Sequence, residues 1–301
     1  MKQIELTVAV CVKDDARIKR LLASIAAQTA DHSRFEVVVV TTGMHRFEEC
    51  VEEFPGLNLR LFHSPVARHS VQRNIAINAT RGSIFLSTDA DCVATSEWIG
   101  DMLRAFEDAP PDLVGVGGRI TKYKQTSITQ RFGITIDDGQ RSLNYLPAMP
   151  LPYITGANSG YRTNAVNECG GYDESFTSAE DVDLSYKLQL GGGHLKIVSG
   201  AEIAHEDRKS LYQHFRRFEF YATDQALLFK KYSPHSKRRA SLNPYAWKRL
   251  GQAAASLVAG APALMSGEVG PLATAMTAAA EASGVLVGSA RGSFKHRVLY
   301  L

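Results

Sequence analysis

The sequence has only four cysteines, and their spacing excludes two common classes of site. Cys11, Cys50, Cys92 and Cys169 are far apart, without the CxxC or Cys/His spacing of a zinc site. A zinc knuckle and a disulfide scaffold are therefore excluded, and a reducing compartment is favoured. We expect a cytoplasmic location, with peripheral contact at the cytoplasmic membrane face as an extension of that expectation.

Long hydrophobic runs are also missing. No stretch reaches the roughly 18 uninterrupted apolar residues of a transmembrane helix. The first residues, Met-Lys-Gln-Ile-Glu, become acidic where a secretory signal peptide stays basic and then apolar. The sequence predicts neither a transmembrane helix nor a signal peptide. An apolar content of 45% over 301 residues excludes a disordered chain.

Excess charge of one sign is absent overall, because two opposite excesses nearly cancel. The net charge is +3, but residues 1–207 carry 20 Lys/Arg against 27 Asp/Glu, a net of −7. Residues 208–249 carry 11 Lys/Arg against two acidic residues, a net of +9. The sequence thus divides into an acidic body, 1–207, and a basic and helical C-terminal region, 208–301.

Strand and helix patterns alternate through the body. Leu6–Val12, residues 37–42, 57–62, 83–88 and 113–116 are short apolar runs, and helical spacings lie between them. Such alternation predicts an α/β fold with a mainly parallel sheet flanked by helices. Ser70 and Ser96 are predicted helix N-caps, and Pro262 and Pro271 are predicted breaks in the C-terminal helices.

Two carboxylates stand at the end of a predicted strand. Asp89-Ala90-Asp91 follows the run Ile84–Thr88, and ligands of α/β sheets bind at the carboxyl ends of strands. Paired carboxylates there suit Mg²⁺ or Mn²⁺ with room for phosphate oxygens. A solvated turn with an Asx cap is the structural alternative, and the strand context favours the metal.

A second acidic cluster opens a predicted helix, and a histidine follows another strand. Glu180, Asp181 and Asp183 would stabilise the helix dipole, or one of them could act as a general base. His205 is either a structural residue or a metal ligand.

The order of these motifs resembles the family-2 inverting glycosyltransferases of GT-A fold. The resemblance spans about residues 4–232 and is carried by six pieces in order: Val8–Val12, Gln72-Arg73-Asn74, Gly82 with Phe85–Asp91, Thr155–Ser159, Gly170–Phe176 and Ala179–Leu184.

The resemblance implies a metal-dependent transfer from a nucleotide-diphosphate sugar to an acceptor hydroxyl, with inversion at the anomeric carbon. The Gln-x-x-Arg-Trp box of processive members is only partly matched by residues 213–217, so we expect transfer of a single sugar. Asp181 would be the catalytic base and Glu180 would shape the acceptor site. Asp91, His205 and Asp89 would hold Mn²⁺ or Mg²⁺. The implied nucleotide-sugar contacts are Val12, Thr41, Arg73, Asp89, Gly156, Ala157 and Asn158.

Two segments depart from the family pattern. Cys11-Val12-Lys13-Asp14 stands where a proline and an aromatic residue are usual, and Thr41-Thr42-Gly43 stands where an acidic cluster is usual. Both segments normally hold the base, so the base can be that of uridine, guanosine or thymidine diphosphate.

The basic region has three interpretations. Its aromatic helix, residues 210–232, could pack on the sheet with a solvated basic face, bind nucleic acid, or rest on an anionic membrane. The acidic body and the lack of a recognition motif argue against nucleic acid. The Ala-rich helices behind it would contact a membrane, bury each other or form a homo-oligomer. The acceptor would be a glycan, a lipid-linked molecule or a small molecule.

Two other functions compete with glycosyl transfer. A sugar nucleotidyltransferase should carry a glycine-rich basic loop after its first strand, and Lys13-Asp14-Asp15-Ala16-Arg17 has no glycine. A non-catalytic scaffold that binds a nucleotide or a partner would not need both the 89/91 and the 180/181 carboxylate pairs.

Overall fold

The computed structural model describes residues 3–133, 143–146, 149–235, 244–265 and 267–300. The chain divides into two compact units. We call residues 1–123, 137–144 and 151–206 the sheet unit, and residues 124–136, 145–150 and 207–301 the helical unit.

The strands lie in the body of the sequence, as the alternating pattern predicts. They are β1 (Leu6–Lys13), β2 (Phe35–Thr42), β3 (Leu59–His63), β4 (Ile84–Asp89), β5 (Cys92–Ala94), β6 (Leu113–Lys122), β7 (Asn144–Tyr145), β8 (Pro152–Tyr153), β9 (Asn158–Arg162) and β10 (His194–His205).

Within the described ranges, helices lie both between the strands and after the last of them. They are α1 (Ile18–Ala26), α2 (Glu49–Glu53), α3 (His69–Ala79), α4 (Trp98–Glu107), α5 (Ile128–Phe132), α6 (Thr163–Glu168), α7 (Glu180–Leu190), α8 (Leu211–Tyr232), α9 (Pro244–Met265) and α10 (Gly270–His296).

The main sheet orders its strands, among the residues described, as β3-β2-β1-β4-β9-β6-β10-β5. β1 pairs in parallel with β2 and β4, while β9 runs antiparallel between β4 and β6. β10 is parallel to β6, so β4 and β10 end at the same edge of the sheet. This α/β architecture and the helical C-terminal region confirm the predicted fold class.

Helices cover both faces of the sheet because the buried strands are apolar on both sides. One face packs under α1 and α4, whose buried side chains include Leu21, Leu22 and Met102. The opposite face packs against residues of α3 and α7, among them Ala76, Leu184 and Leu188.

Two predicted helix caps are wrong. Ser70 lies inside α3, where its hydroxyl donates to the Phe176 carbonyl at 2.8 Å instead of capping the helix. Ser96 precedes α4, but the N-cap position is Glu97 and no side chain caps that helix. Both serines are polar residues near a helix start, and for Ser70 tertiary packing supplied a different backbone partner.

Of the two helix breaks predicted at prolines, the one at Pro271 is correct and the one at Pro262 is wrong. Pro271 stands in the first turn of α10, where a proline costs no hydrogen bond. Pro262 lies inside α9 and does not end it. The predicted break of the chain into two helices therefore falls between Met265 and Gly270.

The helical unit packs α10 closely on α8 through a stripe of glycines. A Cβ on Gly284, Gly288 or Gly292 would lie 2.5, 2.3 or 2.1 Å from a backbone carbonyl oxygen of α8. Glycines four residues apart occupy one helix face, so their missing side chains let the two backbones touch.

Replacing Gly288 by alanine is expected to destabilise this helix pair. Because the clashing atom is the Glu219 backbone carbonyl, the helices must separate, at a cost of about 1–3 kcal/mol in the free energy of unfolding. Chemical denaturation measures the loss.

Gly251→Ala is the matched control for this substitution. Gly251 is exposed on α9, and a Cβ added there would meet no atom within 4 Å, so alanine should leave stability unchanged or raise it by up to about 1 kcal/mol. Equal effects of the two substitutions would contradict close packing at Gly288.

Candidate active site

Asp91 and His205 meet at the carboxyl edge of the sheet. Asp91 follows β4, His205 ends β10, and Asp91 Oδ1 lies 3.3 Å from His205 Nε2. A backbone hydrogen bond joins the two segments: the Glu206 amide donates to the Asp91 carbonyl at 3.2 Å. Both side chains are about nine-tenths buried, so the pair is preorganised.

The pair belongs to a group that could hold a metal ion. Ligand atoms of Asp91, Cys92 and His205 lie within 4.8 Å of one another. A carboxylate beside an imidazole fits Mn²⁺ or Mg²⁺ better than the thiol does, since hard cations prefer oxygen ligands. Burial raises the pKa of the Cys92 thiol well above its usual range, so this group stays protonated.

Asp89 takes a different place from Asp91. Its Oδ1 lies 3.5 Å from Arg73 Nη2, and it is outside the group formed by Asp91, Cys92 and His205. The structure therefore brings two of the three predicted metal ligands together and sets the third beside Arg73. The ligand role of Asp89 stays a prediction.

Two arginines of the α1 segment surround Asp91, and sequence reasoning missed both. Arg17 Nη2 lies 3.5 Å from Asp91 Oδ2 and 2.6 Å from Asp15 Oδ2. Arg20 donates to the Asp91 carbonyl at 3.2 Å and forms an ion pair with Glu206 at 2.9 Å. The signal that could have found them is the charged run directly after β1, since that strand ends at the ligand-binding edge.

Arg73 is buried at the centre of the site. It projects from α3, forms an ion pair with Glu180, and stacks its guanidinium 5.6 Å from the Tyr172 ring centre. Gly156 faces the guanidinium closely enough that a Cβ there would lie 2.6 Å from Nη2. Glu180 is thus held in place by its ion pair with Arg73.

Asp181 has a different environment from its neighbour Glu180. Its two carboxylate oxygens accept hydrogen bonds from the amides of Gly156 and Val182, each at 2.8 Å. Burial, and then the nearby charge of Glu180, raise the pKa of Asp181 to about 6. A carboxylate that binds a proton near neutral pH is suited to general base catalysis.

The backbone before Asp181 explains how the carboxylate reaches Gly156. Ala179 adopts a left-handed conformation with φ of 61°, and α7 begins at the next residue. A non-glycine residue with a positive φ is uncommon and often marks a functional turn. The predicted start of the helix at Glu180 agrees with the structure.

The other predicted nucleotide-sugar residues form the edge around these side chains. Val12 and Thr41 are buried neighbours on β1 and β2, and the Thr41 hydroxyl donates to the Phe62 carbonyl at 3.2 Å. Ala157 is buried beside Gly156. Their contacts with a donor stay predictions.

Both polar atoms of the Asn158 side-chain amide form hydrogen bonds within the fold. Its Oδ1 accepts from the Trp98 indole at 2.9 Å, and its Nδ2 donates to the carbonyls of Arg119 and Ala201, both at 2.9 Å. The side chain is fully buried and ties β9 to its neighbours. Its predicted contact with a donor stays a prediction.

A comparison with protein-family models identifies the family of this chain. The family model of Glycosyl transferase family 2 matches residues 7–170, which is more than half of the sequence. The chain belongs to glycosyl transferase family 2. The resemblance drawn from the six sequence pieces is confirmed.

Curated relatives match over most of this chain. "Pre-mycofactocin glycosyltransferase" from two strains of Mycobacterium tuberculosis, CDC 1551 / Oshkosh and ATCC 25618 / H37Rv, is 27% identical over 232 residues, and the match covers 74% of this chain. The match covers 47% of the relative, so the chain spans about half the length of the curated relatives it matches.

Solved structures of GT-A glycosyltransferases share the fold. A mannosyltransferase from Pyrobaculum calidifontis in complex with GDP-Man and Mn²⁺ is 20% identical, with a TM-score of 0.63 over 95% of this chain and 87% of that one. S. aureus TarS 1-349 in complex with UDP-GlcNAc is 15% identical, with a TM-score of 0.55 over 99% and 93%. At these identities the likeness concerns the fold.

Proposed function

We propose that this family 2 protein transfers a single sugar from a nucleotide-diphosphate sugar to an acceptor hydroxyl, with inversion at the anomeric carbon. The observation that carries the proposal is the separation of two carboxylates by environment. Asp91 lies against an imidazole, while Asp181 is held by two amides and has a raised pKa.

The donor side of the proposed site lies around Asp91. Asp91 and His205 would hold Mn²⁺ or Mg²⁺, with Asp89 as a further ligand, and two neighbouring structures contain GDP-Man with Mn²⁺ and UDP-GlcNAc. A bound cation would neutralise the charge of a departing nucleoside diphosphate. Arg17 adds positive charge 3.5 Å from Asp91.

The acceptor side lies around Asp181. Its carboxylate accepts the proton of the attacking hydroxyl, and the amides of Gly156 and Val182 fix its orientation. Glu180 shapes the site by anchoring Arg73. We assign this chemistry to a catalytic domain spanning residues 1–207, with residues 208–301 as a helical appendage.

The donor is tested by thermal stability with nucleoside diphosphates. Uridine, guanosine and thymidine diphosphate are each added with Mn²⁺, with Mg²⁺ and with a chelator. A ligand at 100 times its Kd stabilises the folded state by about 2.7 kcal/mol, so the cognate nucleotide should raise the Tm by several degrees with metal.

The same screen separates the proposal from its alternatives. The corresponding diphosphate sugar should then be turned over with release of the nucleoside diphosphate. Binding without any turnover would favour the non-catalytic scaffold. Release of pyrophosphate from a nucleoside triphosphate and a sugar phosphate would instead identify a nucleotidyltransferase.

A further inference from the structure

The described surface of the helical unit is strongly cationic because its carboxylates are buried. Glu219, Asp224 and Glu281 are at most 2% exposed and pair with basic side chains of the same unit. Asp207 is also buried and pairs with Arg217. In the described part of this unit, Glu268 is the one exposed carboxylate.

Exposed basic side chains of this unit greatly outnumber that carboxylate. They are Lys124, Arg131, Lys209, Arg216, Lys230, Lys231, Lys248, Arg291, Lys295 and Arg297, of which Arg216, Arg291 and Lys295 pair with the buried Glu219 or Asp224. Their field favours a partner of negative charge.

Exposed apolar side chains are concentrated in the same unit. Of the 15 large hydrophobic side chains exposed in the described part of the chain, 11 belong to the helical unit, which is the smaller of the two. Scattered apolar side chains are normal on a surface, but a concentration in one unit indicates a contact.

Helix α9 is oriented with its apolar side outward. Arg249 is 6% exposed and forms an ion pair with Glu281, while Trp247 is 58% and Val258 is 78% exposed. Small exposed residues lie on the outer side between them, at Gly251, Ala254 and Ala255. The helix therefore exposes an apolar stripe beside Lys248 and Gln252, which are also exposed, while its other cation, Arg249, faces inward.

We propose that the outer face of α9, from Trp247 to Val258, rests on the surface of an anionic lipid bilayer. An aromatic and aliphatic face with adjacent cations such as Lys248 is the pattern of helices that lie in a bilayer interface. No helix among the described residues is long and apolar enough to cross a membrane.

The surface charge and the apolar side chains favour an anionic bilayer over a second copy of the chain and over a nucleic acid. A second copy of the chain would bring another cationic surface against this one, so like charges would oppose its docking. A nucleic acid would pair with the cations but would leave Leu257 and Val258 against phosphates, which gain nothing from an aliphatic surface.

Trp247 provides a direct reporter for the full chain. The sequence has two tryptophans, and the other, Trp98, is fully buried in the sheet unit. On vesicles of phosphatidylcholine with phosphatidylserine, we expect a blue shift of the emission and quenching by brominated lipid. Affinity should be at least about tenfold higher than for phosphatidylcholine alone, and should fall with added salt.

Val258→Asp is expected to reduce vesicle affinity at least about tenfold without unfolding the chain, since this side chain is exposed. Leu190→Asp is the matched control, because it adds the same charge at an exposed leucine of the sheet unit and should leave affinity unchanged. Metal-dependent nucleotide binding should be normal in both variants, so the membrane proposal and the proposed function can fail separately.

Three results would overturn the proposal. One is equal binding of the native chain to neutral and anionic vesicles, and another is native affinity in Val258→Asp. The third is a dimer in light scattering that Val258→Asp dissociates, with no vesicle binding by the native chain, because a second copy would then cover α9.

Discussion

Asp91→Ala is expected to lower the rate of sugar transfer by at least about 10³-fold. A bound cation would stabilise the leaving diphosphate, and losing it would raise the activation free energy by several kcal/mol. Each 1.4 kcal/mol of activation free energy changes the rate about tenfold. In the structure the Asp91 carboxylate lies 3.3 Å from His205, so its removal takes a carboxylate away from the imidazole. Turnover of the donor identified by the nucleotide screen measures this loss.

A second measurement separates a metal role from a general loss of structure. The Asp91→Ala variant should lose the Mn²⁺-dependent rise in Tm with the cognate nucleoside diphosphate, while its Tm without ligand stays close to that of the native chain. Asp112→Ala is the matched control, since it removes a half-exposed carboxylate from the same unit. Unchanged Mn²⁺-dependent binding in Asp91→Ala would refute the assignment of this residue.

Asp181→Asn is expected to lower kcat by about 10²–10⁴-fold, the range that general base catalysis contributes. The amide has nearly the same size and cannot accept the proton of an acceptor hydroxyl. Binding of the nucleotide with metal should persist, because the Asp181 carboxylate contacts the amides of Gly156 and Val182 and lies outside the group around Asp91. Steady-state kinetics and the thermal shift together test both parts.

The pH profile gives this assignment a separate signature. Burial and the charge of Glu180 raise the pKa of Asp181 to about 6, so its carboxylate is ionised above that pH and protonated below it. A base must be ionised to work, so the rate of the native enzyme should fall about tenfold for each pH unit below 6. This acidic limb should be absent from the residual activity of Asp181→Asn.

Glu180→Gln provides the contrast for the neighbouring carboxylate. Its replacement removes the nearer of two carboxylates that pair with the buried Arg73, while Asp89 stays at 3.5 Å. Loss of one partner of a buried charge costs up to about 3–5 kcal/mol. We therefore expect a larger fall in Tm in this variant than in Asp181→Asn, where the new amide nitrogen faces one of the two backbone N–H donors that the carboxylate accepted from. Full turnover in Asp181→Asn would transfer the role of base to another group.

Several features of the site were predictable because they depend on local order along the chain. Asp89 ends the buried strand β4 and Asp91 follows it, and the strand pattern places both at the edge where α/β sheets bind ligands. The start of α7 at Glu180 was also predictable, because acidic residues stabilise a helix N-terminus.

Other features depend on partners that are distant in sequence. Arg17 lies 3.5 Å from Asp91, which is 74 positions away in the sequence. The side-chain amide of Asn158 forms hydrogen bonds with Trp98, Arg119 and Ala201. The residue type alone could not assign Asn158 to the fold or to a ligand. Ser70 likewise meets a carbonyl 106 residues away in place of the helix start beside it.

The charge of the C-terminal region shows the same division. The sequence by itself determined the family, the alternating fold and the excess of basic residues after position 207, because each is written in residue order and composition. Only the tertiary structure decided that Glu219, Asp224 and Glu281 are buried against their cations and that α9 turns Trp247 and Val258 outward. Helical spacing defines the faces of a helix, whereas packing against the rest of the fold decides which face meets solvent.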